Sequence, residues 1–139
     1  DGVRECLTRI GEQSLRAGDI VRRMRTFARR GEFQRELLDM GQLVDDVLAL
    51  LDHELRLSGI NTTVSRGEHV PPVMVDRIEI QQVLVNLIRN AIEAMARPSI
   101  ALRRLTIRID ARLGQVRVSI SDTGSGIDPA ILGRLFHPF

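Results

Sequence analysis

The sequence predicts an α+β protein: a two-layer sandwich of helices on a mixed β-sheet, preceded by a long N-terminal helix. Three patterns predict it. Ile80, Val83, Leu84, Leu87, Ile88, Ala91, Ile92 and Met95 follow the spacing of an amphipathic helix. Leu105, Ile107 and Ile109 alternate, as do Val116, Val118 and Ile120, with Leu113 and Gly114 between the two runs. That is a β-hairpin with one buried face. Val3, Leu7, Ile10, Ser14, Ala17, Val21, Met24 and Ala28 form a heptad-like seam suited to packing against other helices.

The elements are expected in the following order. The first helix runs to Gly31, a natural stop. Gly11 and Gly18 weaken it, so contacts with other helices must support it. Arg22, Arg25 and Arg29 line another of its faces, either a solvated basic face or a docking surface for an acidic partner. Residues 32–40 form a connector that can hold a short strand. A second amphipathic helix spans Gly41 to Ser58, with Leu43, Val44, Val47, Leu48, Leu51 and Leu55 on one face and Gly59 at its end. Ile60–Ser65 and Val73–Asp76 read as short strands flanking the turn from Gly67 to Pro72. Asp76 and Glu79 have the spacing of a capping box at the head of the third helix, and Pro98 stops that helix. The hairpin strands, Arg104–Asp110 and Gln115–Ser121, lead into Asp122-Thr-Gly-Ser-Gly-Ile127. Pro129 to Leu135 reads as a short helical turn. No repeat or low-complexity tract interrupts this order.

Chemistry concentrates in two places. Opposite the apolar stripe of the third helix lie Glu79, Gln82, Asn86, Asn90 and Glu93. Such a face is either simply solvated or able to hold a cation and the phosphates it bridges, since magnesium prefers oxygen ligands. Asn is a poor helix former, so two in mid-helix carry a cost that favours the second reading. The glycines after Asp122 allow a sharp turn and close approach to a ligand. An Asp at a strand end can accept a hydrogen bond from an exocyclic amine, which adenine has. Alone, that segment is an ordinary turn. Following the carboxamide helix and a hairpin, it reads as the second wall of an ATP pocket.

These residues resemble the ATP-binding domain of sensor histidine kinases, of the gyrase and chaperone superfamily with its Bergerat-type fold. Asn86-Leu-Ile-Arg-Asn-Ala91 matches the N box, Asp122-Thr-Gly-Ser-Gly126 the G1 box, and Leu135-Phe-His-Pro-Phe139 the F box. Arg16 to Phe27 resembles the second helix of the family's dimerisation and phosphotransfer hairpin, with wording closest to PAS-linked, oxygen-sensing kinases. The resemblance implies two parts: residues 1–31, part of that hairpin, and residues 32–139, the catalytic ATP-binding domain. It implies ATP and Mg2+ as cofactors, with Asn90 as the magnesium ligand, Asp122 on the adenine amine, and Gly124 and Gly126 shaping the pocket wall. Asn86, Glu93 and Ile127 complete the expected ATP-binding set. Arg89 either reaches toward the phosphates or faces solvent.

The resemblance further implies transfer of the γ-phosphoryl group to a histidine and then to an Asp of a response regulator, in a homodimer joined through the N-terminal helix. Gyrase-type relatives carry a Glu where this chain has Asn86, and a carboxamide cannot activate water as a general base. That favours a kinase over an ATPase. Two departures from the family pattern stand out. The lid and second glycine-rich loop expected after the F box are absent from this sequence, which makes the expected fold C-terminally truncated. No His followed by Glu or Asp precedes Gly11, so no phosphoacceptor is assigned. His53 lies in a later helix, His69 in a loop beside Pro71 and Pro72, and His137 in the F box. The fragment alone is therefore expected to be inactive in autophosphorylation. The alternative is a non-catalytic nucleotide-binding or dimerisation module.

Composition bounds the rest. All 20 basic residues are Arg and the net charge is only +2. Nucleic-acid binding is rejected because those arginines are scattered and the four aromatics, all Phe, provide too few stacking platforms. Cys6 is the single cysteine, which excludes an internal disulfide and fits a reducing, cytoplasmic compartment. No apolar run reaches the roughly 18 residues of a membrane span, and no signal peptide or membrane contact is expected of this chain. No two histidines have metal-ligand spacing, so the only metal expected is nucleotide-bound magnesium.

Overall fold

The computed structural model describes residues 34–97 and 99–127, within a compact unit that begins at Gln34. The helix expected over residues 1–31, the stop at Pro98, the turn from Pro129 and the F box at Leu135–Phe139 lie outside the described residues.

Strand β1 (Arg35–Leu38) comes from the connector and ends at Asp39, whose carboxylate accepts from the backbone N–H groups of Gly41 and Gln42. That cap starts helix α1 (Met40–Leu57) by satisfying donors that the first turn leaves open. The helix buries Leu43, Val44, Val47, Leu51 and Leu55. It ends in a Schellman arrangement: Ile60 N–H donates to Leu55 C=O at 3.0 Å, and Gly59 takes φ +63°. A side chain at Gly59 would strain that left-handed backbone.

Strands β2 (Asn61–Arg66) and β3 (Val73–Asp76) follow, yet they do not pair with each other. β3 runs antiparallel to β1, with Arg35 opposite Asp76 and Leu38 opposite Val73. β2 runs parallel to β4 (Arg104–Arg112), with Asn61 opposite Arg104. β4 in turn pairs antiparallel with β5 (Gln115–Asp122). The larger sheet therefore has the order β2-β4-β5 and is mixed. The β4–β5 turn is Leu113-Gly114, with φ +53° and +76°; two consecutive left-handed residues match the right-handed twist of the flanking strands.

Helix α2 (Arg77–Met95) starts at the predicted cap, where Asp76 Oδ1 accepts from Ile78 N–H at 2.9 Å and Glu79 N–H at 3.2 Å. Its apolar stripe is displaced to one side of where the spacing placed it, with Val85 joining Ile80 and Ile92 as partly buried side chains against the core. Leu84, Ile88, Ala91 and Met95 are buried, but Val83 and Leu87 remain 51% and 47% exposed. Both lie on the edge of the stripe opposite Val85 and Ile92, the side turned away from the core. The α1 and α2 stripes meet Leu105, Ile107 and Ile109 of β4 in one core. The result is the expected α+β arrangement of helices on a mixed sheet.

Candidate nucleotide-binding site

Of the polar face expected on α2, Gln82 is half-buried, while Asn86, Asn90 and Glu93 are exposed. Residues three and four apart share a face, so these three form one strip along the helix. Ala94 continues it, one turn beyond Asn90. Ile88 lies about 200° around from Asn90, so burying Ile88 in the core turns Asn90 outward.

The glycine turn reaches this same strip. β5 delivers Asp122 at its last position. Asp122 Oδ1 then accepts from Gly124 N–H at 2.8 Å, bending the chain back on itself. Gly124 sits so close to α2 that a Cβ placed there would lie 2.7 Å from Ala94 Cβ and 2.9 Å from the Ala94 carbonyl carbon. Ser125 N–H points at Ala94 C=O, at 3.4 Å. Only glycine permits this approach. Gly126 follows with φ +71°, in open space, where glycine serves the backbone rather than the packing. Ile127 is exposed.

Thr123 locks the turn from the other side, a role the sequence reading did not assign. Its hydroxyl donates to Leu102 C=O at 2.5 Å and accepts from Arg104 N–H at 3.0 Å. The turn is thus fixed to the start of β4 and to the end of α2 together. A hydroxyl immediately after the strand was the available signal, but its partners lie about 20 residues back and no local pattern names them.

Arg89 is neither left to solvent nor unengaged. It makes a two-pronged ion pair with Glu54 of α1, Nε to Oε2 at 3.2 Å and Nη2 to Oε1 at 2.7 Å. Sequence spacing could not reveal Glu54, which is remote from every motif. Among the described residues no cluster of three or more His, Cys, Asp or Glu could hold a metal ion, and no helix is long and apolar enough to cross a membrane.

A carboxamide-bearing helix and a glycine turn docked against its end, both carried by a helix-on-mixed-sheet sandwich, define a nucleotide-binding class of fold. Residues 75–139 match the family described as histidine kinase-, DNA gyrase B- and HSP90-like ATPases, and this segment of the chain belongs to that family. It is 38% identical over 138 residues to the sensor protein FixL of Bradyrhizobium diazoefficiens, which is 99% of this chain and 27% of FixL. It is 34% identical over 137 residues to the C4-dicarboxylate transport sensor protein DctS of Rhodobacter capsulatus, 99% of this chain and 21% of that one. The chain therefore spans about a quarter of the length of these curated relatives. Among solved structures, the nucleotide-free catalytic domain of histidine kinase ThkA superposes with a TM-score of 0.67 at 28% identity, covering 78% of this chain and 70% of that one. ThkA in complex with the response regulator protein TrrA gives 0.77 at 25% identity, covering 94% of this chain and 38% of that one.

Proposed function

We propose that this chain is the ATP-binding part of a cytoplasmic sensor histidine kinase, and that it holds Mg-ATP between the polar face of α2 and the Asp122–Gly126 turn. One observation carries the reading: Gly124 rests on Ala94, one helical turn from Asn90. That contact supports placing the Asp122 carboxylate and the Asn90 carboxamide in one site.

Each residue has a role by its chemistry. One oxygen of Asp122 shapes the turn, and the carboxylate has a second oxygen to accept from the adenine amine. Gly124 and Gly126 keep the turn thin enough for a base to lie against it. Asn90 offers a carboxamide oxygen to magnesium, with Asn86, Glu93 and Ile127 bordering the nucleotide. The donor set fits such an ion. With no acidic cluster to chelate it among the described residues, the ion would take most of its ligands from phosphate and water, as magnesium commonly does. When bound, it would neutralise phosphate charge.

The protein's contribution is then positioning rather than covalent chemistry. Asn86 supports transfer to a protein nucleophile, because a carboxamide does not activate water. In the intact protein the γ-phosphoryl group would pass to a histidine and then to an Asp of a response regulator. The partner is supported by the ThkA–TrrA complex. Residues 1–31 would belong to a dimerisation hairpin and residues 32–139 to the catalytic domain, giving a homodimer through the N-terminal helix.

Titration with Mg-ATP tests the site. Asp122→Ala and Asn90→Asp are expected to weaken magnesium-dependent binding by about three- to tenfold each, the worth of one hydrogen bond or ligand. Their unfolding midpoints should stay near that of the wild type. Equal binding by all three proteins would overturn the assignment.

A further inference from the structure

We infer that Glu54 is a positioning residue for the nucleotide site, acting through Arg89 to set the rotation of α2 about its own axis. The inference rests on the nucleotide-binding reading above and adds to it a residue from a different helix.

The geometry is specific. Glu54 and Arg89 meet through two parallel N–H···O bonds, at 3.2 and 2.7 Å, across the α1–α2 boundary. A two-pronged guanidinium–carboxylate pair fixes orientation as well as distance. Arg89 immediately precedes Asn90 and lies three residues after Asn86. At about 100° per residue, turning Arg89 toward α1 turns Asn90 about 100° away from α1. It also leaves Asn86 about 60° from Arg89, on the near side of the strip. The helix is held from two sides as a result. Glu54 grips one flank, and the Gly124 turn rests on Ala94, about 40° from Asn90.

Bulk stability is a poor explanation for this pair. Both side chains are more than a third exposed, and exposed ion pairs contribute little to folding. The apolar stripe already attaches α2 to the core. That stripe buries Leu84, Ile88, Ala91 and Met95, with Ile80, Val85 and Ile92 partly buried against the core and Val83 and Leu87 half exposed along one edge. Apolar burial is non-directional, so a two-pronged contact on one flank adds an orientation that the stripe alone does not specify. Arg89 is therefore assigned to hold the helix rather than to touch phosphate.

The test compares Glu54→Gln, Arg89→Gln, the charge-swapped pair Glu54→Arg/Arg89→Glu, and Asn90→Asp. Binding of ADP is measured by calorimetry with magnesium and with EDTA. The side-chain amide signal of Asn90 is followed by NMR in nucleotide-free protein. Glu54→Gln and Arg89→Gln are each expected to weaken magnesium-dependent binding by about tenfold, as loss of a ligand-orienting partner does. Metal-free ADP binding should be unchanged, the Asn90 amide signal should move, and the swapped pair should recover most of the loss. Wild-type affinity in Glu54→Gln would overturn the inference, and so would equal losses with and without magnesium. If Asn90→Asp binds like the wild type, the nucleotide assignment itself fails, a result that does not involve Glu54.

Discussion

Two glycines separated by a single residue can be needed for opposite reasons, and Gly124 and Gly126 are such a pair. At Gly124 the obstacle is another part of the molecule. An added methyl group would meet the Ala94 side chain and its carbonyl carbon, and a helix backbone cannot give way as a flexible side chain can. At Gly126 nothing lies within 4 Å, and the obstacle is the backbone's own left-handed conformation. The two substitutions should therefore differ in kind. Gly126→Ala should cost about 1–2 kcal/mol of local strain with the turn still in place. Gly124→Ala must lift the turn from α2, so nucleotide affinity should fall further than in Gly126→Ala, with an overpacking cost of about 1–3 kcal/mol. Calorimetric titration of both variants, set beside their thermal unfolding, checks the ordering. At this scale the motif glycines were legible in the sequence, because their spacing marks a turn. The roles of Thr123 and Glu54 were not, because each depends on partners far away in the chain.

Elements follow the same division between local and distant causes. Helix α2 was readable nearly to its ends, since its start is written in one residue and its core face in a repeating interval. Asp76 receives two backbone N–H groups, so Asp76→Ala should cost about 1 kcal/mol, with a range of about 0.5–2 kcal/mol. Urea denaturation should show that loss with an unchanged slope, since the surface exposed on unfolding is the same. The hairpin was readable too, because β4 and β5 are joined by two residues that must both be left-handed. Strand partners across longer intervals were not. β2 and β3 flank one turn, and adjacency in sequence favours pairing, yet they join different sheets. β1 takes β3, and β2 takes β4 in parallel, pairings that helices α1 and α2 make possible by carrying the chain across the sheet. Parallel pairing needs such a crossover, and no short-range pattern specifies which strand lies at its end.

For the molecule as a whole, the core and the site share their supports. Ile107 is fully buried in the central strand of the larger sheet, within the cluster formed with both helices. Ile107→Ala should cost about 2–5 kcal/mol, and nucleotide binding should be lost together with folding, at one midpoint. Separate midpoints in thermal scans followed by helix signal and by nucleotide fluorescence would contradict that coupling. The same rigidity bears on self-phosphorylation. Transfer needs a nucleophile held in line with the γ-phosphoryl group. His53 is the histidine of helix α1, and it is exposed, about 160–200° around the helix from Leu51 and Leu55. Those two leucines are buried in the core and the adjacent Glu54 is tied to Arg89, so α1 cannot roll to present His53 without breaking both attachments. Incubated with magnesium and γ-labelled ATP, the 139-residue chain should therefore acquire no label, even at concentrations where it binds nucleotide. Mass spectrometry after the incubation decides the point, and a phosphoryl group on His53 would show that α1 is far less constrained than its packing indicates.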